Sequence, residues 1–247
     1  MRPAGLSAWA AVGLAATLAG PVSAEGPVVV ELFTSQGCSA CPPADALLAE
    51  LSERADVVAL GLHVDYWDYL GWTDRFGDAA NTRRQRGYVA GLGERSVYTP
   101  QIVIDGAAST VGSRREEVLE EIALAAAAPD AAELALSRDG DGLVVEVRPR
   151  AAFEATARLL YFIYERPVRV RVRAGENAGR TVVYHNVVRD WGTAGFWFGG
   201  EAAYALPVPE DARGVAVLLQ ADGGPVLAAA KLEFDAVPVS QAGPLTE

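Results

Sequence analysis

The residues best suited to chemistry are two cysteines, the only two in 247 residues, held together in the tetrad Cys38-Ser39-Ala40-Cys41. Thiols at this spacing can close to a disulfide and reopen, one attacking a partner disulfide and the other resolving the mixed species. Cys38, nearer the amino end, is the expected nucleophile and Cys41 the resolving thiol. The ring such a bridge closes is short, so it contributes little through chain entropy and a stapling role is weak. The same pair also admits an inert disulfide, or half of a zinc site, for which His63 and His185 are the only histidines available.

The elements around the tetrad suit thiol chemistry. Val28-Val29-Val30-Glu31-Leu32-Phe33 is a short, β-branched apolar run that predicts a buried strand, and Ala44 to Leu51 has the apolar spacing of a helix. A helix start favours a thiolate through its unpaired N–H groups and positive dipole end. Here Pro42 and Pro43 lack N–H groups, so the tetrad is expected at the N-cap and the loop before it, with weaker support for a Cys38 thiolate. Further on, Thr99-Pro100 opens another apolar run and is a candidate cis peptide. In thiol oxidoreductases such a proline faces the cysteines, and the backbone before it pairs with an extended substrate.

The rest of the chain changes rhythm near its middle. To about Ala128, apolar strands at Val57–Val64 and Gln101–Asp105 alternate with helices, one within Arg75–Gly91 and one over Glu117–Ala128. Ser113 and Glu116 form a potential capping box for the latter. Ser109–Gly112 is a candidate short strand. From Glu133 the period becomes two: Leu134–Ser137 and Leu143–Val147 flank an Asp-Gly-rich turn, Val168–Arg173 alternates strictly, and Thr181–Val188, Val215–Gln220 and Val226–Phe234 continue. The pattern predicts an α/β domain over 25–129, an antiparallel β-sandwich-like domain over 130–236 and a loose tail over 237–247.

Residues 1–24 read as a secretory signal peptide, with Arg2, an uncharged run from Leu6 to Gly20, and the small-residue end Val22-Ser23-Ala24. A periplasmic or secreted location follows, where a cysteine pair rests as a disulfide. No later run is as long and uncharged, so no membrane insertion is expected once that segment is cleaved. With 21 basic and 32 acidic residues the net charge is −11, which argues against nucleic acid or an anionic membrane as partner. The expected partners are protein thiols or disulfides, or a small thiol, and no organic cofactor is required.

The string from Glu31 to Asp45 resembles the secreted "domain of unknown function 1223" family. So do His63-Val64-Asp65-Tyr66-Trp67-Asp68-Tyr69-Leu70-Gly71-Trp72, Val97–Gln101 and Gly175-Glu176-Asn177-Ala178-Gly179-Arg180. The resemblance implies a thioredoxin-like fold in the first half. It also places Glu31 where thioredoxins carry a buried acid that relays a proton to the resolving cysteine. His63, Asp65, Tyr66 and Trp67 follow the carboxyl end of the second strand, the end that faces the ligand crevice in open α/β sheets, and are candidates for contact with substrate. Core packing is the competing role for these aromatics. Arg83-Arg84-Gln85-Arg86 reads as a solvated helix face and Gly175–Arg180 as a hairpin loop. Beside thiol–disulfide exchange stand two other functions: a cell-envelope binding or assembly module with an inert disulfide, and a metal carrier using Cys38, Cys41 and His63.

Overall fold

In a computed structural model the described residues are 26–234, apart from 141, 166, 210, 211 and 223; the expected signal peptide over 1–24 and the expected tail over 237–247 lie outside them. The chain is mostly β-sheet with few helices, arranged as several small sheets. Among the described residues no helix is long and apolar enough to cross a membrane.

The first sheet has the order β2-β1-β3-β4. Strands β1 (Val28–Thr34) and β2 (Val57–His63) run parallel, in a register that sets Thr34 beside His63. Strand β3 (Gln101–Ile104) lies antiparallel to β1, and β4 (Ala108–Val111) antiparallel to β3. All residues of β1 and β2 are buried. That is why they read as continuous apolar runs without alternation.

Successive side chains of a strand point to opposite faces. On one face Val28, Val30 and Leu32 pack against Ala44, Leu47, Leu48 and Leu51 of helix α1 (Pro42–Ser52), and against Val118 and Ile122 of α3 (Arg115–Ala125). On the other face Val29, Phe33, Leu60 and Leu62 meet Tyr88 of α2 (Ala79–Gly91) and Leu160, Phe162 and Leu218 from the second half of the chain. Helix α3 starts after Arg114 with no side-chain cap, so the Ser113–Glu116 capping box does not form. Glu117 instead accepts from the Thr110 hydroxyl at 2.9 Å, tying α3 to β4.

In the second half, β5 (Ala132–Asp139) and β6 (Gly142–Pro149) form the expected hairpin, and β11 (Ala202–Pro207) completes a sheet β11-β6-β5. A second antiparallel sheet has the order β10-β7-β12-β13, from Val188–Trp197, Ala157–Tyr164, Gly214–Ala221 and Val226–Glu233. Its β12 is buried along almost its whole length: Ala216 and Leu218 face the first sheet, while Val215, Val217 and Leu219 face Leu143, Val145 and Val147 of β6. This sheet is therefore a middle layer, covered on both sides. A separate two-stranded ribbon pairs β8 (Val168–Arg171) with β9 (Thr181–Tyr184).

Candidate functional site

Strand β1 delivers the chain into the turn Ser35–Cys41. The Cys38 amide donates to the Ser35 carbonyl at 3.1 Å and the Cys41 amide to the Cys38 carbonyl at 3.2 Å, winding the tetrad tightly. Cys38 and Cys41 are joined in a disulfide with Cα atoms 5.4 Å apart. Cys41 is the N-cap of α1, and Pro42 and Pro43 occupy the first two helical positions. The next two amides, of Ala44 and Asp45, both donate to the Cys41 carbonyl. The helix start therefore offers the sulfurs no unpaired N–H group, in contrast to an ordinary helix N-terminus.

Both cysteines are buried, 1 % and 0 % exposed, whereas Ser39 and Ala40 between them are exposed. The cover comes from far along the chain. Asn177, in the loop between β8 and β9, donates from its side-chain nitrogen to the carbonyls of Gln36 (3.0 Å) and Cys38 (2.7 Å). Its neighbour Glu176 accepts from the Ser39 amide at 3.3 Å. Gly175 begins this loop at φ +72°, and a Cβ there would sit 3.2 Å from the Cβ of Trp72. Only glycine meets both demands readily. Trp72 in turn donates from its indole to Gln36 Oε1 at 2.9 Å. The string Gly175–Arg180 is thus a clasp over the cysteine turn as well as a hairpin loop.

Beneath the turn lies a buried polar cluster. Asp74 accepts from the Gln36 amide at 2.7 Å and from the Phe76 amide at 2.9 Å, and its Oδ2 is 2.7 Å from His63 Nδ1. Burial pushes the Asp74 carboxyl up, but the charge of His63 and the hydrogen bonds outweigh it and hold the group below the usual carboxylate range. Asp45, one helical turn past Cys41, takes the Thr34 hydroxyl at 2.8 Å on one oxygen, and its other oxygen is buried without a partner. Burial raises Asp45 to about 7, partly offset by His63 and Thr34.

The structure distributes the expected site residues unevenly. Trp67 touches the cysteine turn, since a Cβ on Gly37 would lie 3.2 Å from its own, and its indole donates to Thr99 Oγ1 at 2.7 Å. The Thr99–Pro100 peptide is cis. The Pro100 carbonyl accepts from Gly112, whose position packs against Ala44 of α1. Tyr66 donates to Gln85 at 3.1 Å and Asp65 accepts from Thr82 at 2.6 Å, so both anchor the same segment to α2. His63 is 1 % exposed, packed edge-on against Phe76 and Tyr184 and engaged with Asp74, a position inside the core and away from any incoming chain. Among the described residues no three His, Cys, Asp or Glu side chains are grouped as metal ligands.

Glu31 is not brought to the cysteines. It shares the sheet face of Val29 and Phe33, opposite α1, where Arg84 holds both its oxygens and Tyr88 donates at 2.6 Å. Arg84 is accordingly buried, contrary to the solvated face expected for residues 83–86. Sequence reasoning missed Asn177, Asp74 and Asp45. Asp45 had a local signal, since the i, i+4 relation on a helix places it one turn past Cys41.

Solved structures provide the comparison. A protein from Agrobacterium tumefaciens, known from its X-ray crystal structure, is similar at 32% identity and a TM-score of 0.74, covering 88% of this chain and 99% of that one. HBP35 of Porphyromonas gingivalis has a similar fold at 12% identity and a TM-score of 0.60, covering 91% of this chain and 81% of the other. No curated protein matches the sequence. Residues 29–220 match the family described as "Protein of unknown function (DUF1223)", and with that length of agreement the chain belongs to this family.

Proposed function

We propose that this chain is an exported thiol–disulfide exchange protein, with a thioredoxin-like unit over 25–129 that carries the redox pair and an antiparallel β unit over 130–236 that covers it. The sheet order β2-β1-β3-β4, with β1 parallel to β2 and β3 and β4 alternating in direction, supports the thioredoxin-like reading. The observation that carries the function is the position of the disulfide, at the end of β1 and the mouth of α1, with the buried acid Asp45 one turn behind it. Its partners are protein thiols or disulfides, or a small thiol.

In this reading a partner thiolate attacks Cys38 Sγ, a mixed disulfide forms, and the electron pair of the broken S–S bond leaves on Cys41 Sγ. Asp45, poised near neutrality, supplies the proton to that thiolate, the role expected of Glu31. A second partner thiol then attacks the mixed disulfide, releasing Cys38 and leaving the partner oxidised. The reverse sequence reduces a partner. Either direction requires the Asn177 clasp to lift, because the sulfurs are buried while it is closed.

The test is trapping. Cys41→Ser, incubated with glutathione disulfide, is expected to form a glutathione adduct on Cys38, seen by intact mass, and Cys38→Ser to form none. Burial of both cysteines favours a second reading, an envelope binding module with an inert disulfide. That reading prevails if the folded protein forms no adduct even when Asn177→Ala is added.

A further inference from the structure

On the sheet face away from the cysteines, a cavity of about 230 Å³ opens between α2 and the middle sheet, lined by Arg83, Arg84, Tyr88, Arg158, Trp191 and Gln220 together with Gly87. Arg84 forms its floor. Its guanidinium stacks between aromatic rings, with Cζ 4.9 Å from the centroid of Phe162, 5.2 Å from Tyr88 and 5.4 Å from Trp191. Its Nε and Nη2 are taken by Glu31, Tyr88 and Gln220. None of these bonds uses Nη1, and the Arg84 side chain as a whole is 6 % exposed.

Two further guanidinium groups line the same cavity. Arg158 lies with Nε 3.0 Å from Asp222, close enough for an ion pair though not aligned as a hydrogen bond. Arg83 makes no ion pair among the described residues, and it is exposed beside the mouth. Three positive side chains thus meet two carboxylates, Glu31 and Asp222, which leaves one positive charge uncompensated in a chain whose net charge is −11. A buried Arg–Glu pair is an expensive way to hold a core together, since hydrophobic side chains of similar volume often serve as well. Here the pair presents a fixed, aromatic-backed donor to a cavity with unfilled cationic capacity.

From this arrangement we infer that the cavity is a binding site for a small carboxylate. A planar carboxylate matches the fork of a guanidinium, and Arg158 and Arg84 line the same cavity with such groups. At about 30 Å³ per water the volume holds roughly seven waters. That suits an acid up to about the size of benzoate and is too small for a nucleotide. The ring or aliphatic end of such an acid would lie along Trp191. This site is independent of the cysteine chemistry, and its success or failure leaves the exchange reading untouched.

The probe is sodium benzoate titrated into the full chain and followed by calorimetry, with benzamide as the uncharged analogue and inorganic phosphate as the non-planar anion. Saturable benzoate binding at millimolar concentration or tighter is expected, with benzamide at least about tenfold weaker, the loss of one charge-assisted hydrogen bond. Arg158→Gln and Arg83→Gln, both at partly or fully exposed positions, are expected to fold and to weaken benzoate about tenfold and severalfold respectively. Equal binding of benzamide, or unchanged benzoate affinity in both variants, overturns the proposal. No benzoate binding also overturns it, and phosphate binding as tightly as benzoate overturns the assignment to carboxylates.

Discussion

The side-chain amide of Asn177 donates to the carbonyl of Cys38 at 2.7 Å, although 139 residues separate them in the chain. The disulfide is therefore guarded by the half of the protein that carries no cysteine. Replacing Asn177 with alanine removes two buried hydrogen bonds, taking the side-chain donor from the Gln36 carbonyl and leaving the Cys38 carbonyl with the Cys41 amide alone. The expected cost is about 1–3 kcal/mol of stability by urea unfolding. The rate at which dithiothreitol reduces the folded protein is expected to rise severalfold, and an unchanged rate would mean that the clasp does not limit access.

Asp45 sets a pH dependence of definite sign. Its carboxyl titrates near 3.8 when exposed and near 7 in the fold, so between those values the folded state holds more protons than the unfolded one. Stability therefore falls as pH rises from about 4 to about 7, by up to about 4 kcal/mol from this group. Asp45→Asn keeps the volume and removes that slope. Urea unfolding at pH 5 and pH 8 is expected to show wild type losing more stability than the variant across the interval.

Asp74 has the opposite sign. Its pKa is lowered in the fold, so its contribution is present above the unfolded value of 3.8 and is lost as acid carries the pH down through the folded value. Asp74→Asn is expected to destabilise by about 2–4 kcal/mol at pH 7, because His63, Gln36 and Phe76 lose a charged acceptor. Below about pH 4 the gap between variant and wild type should narrow, as parallel acid titrations followed by circular dichroism would show.

Glu31→Gln separates stability from chemistry. Removing the charge opposite buried Arg84 is expected to cost about 3 kcal/mol or more. Reduction of the Cys38–Cys41 disulfide by dithiothreitol in this variant should keep its pH profile, since Glu31 lies on the far face of the sheet. A shifted pH profile would return Glu31 to the proton relay and remove Asp45 from it.

What sequence could reveal depended on the range of the interaction. The runs at Val28–Phe33 and Val57–Val64 announced themselves because strands buried on both faces are continuously apolar. The strict alternation of Val168–Arg173 and the Asp-Gly turn near residue 140 marked their strands by the same local logic. Ala157–Tyr164 belongs to a middle layer and does not alternate, so a search for period two passes over it. Arg84 looked solvated among its arginine neighbours because its acceptor, Glu31, stands 53 residues earlier. Asn177 showed the same limit more strongly. A loop reads locally as a loop, and nothing in its composition says which distant carbonyls its amide will meet.

The double coverage of β12 carries a consequence for anyone dividing this protein. By rhythm the chain splits near residue 129, yet Val29, Phe33, Leu60 and Leu62 find their cover in Leu160, Phe162 and Leu218. A fragment ended at 129 would turn that whole sheet face outward as a greasy plane and would strip the cysteine turn of its guard. Such a fragment is expected to precipitate or self-associate, and to be far quicker to react with thiols than the intact chain.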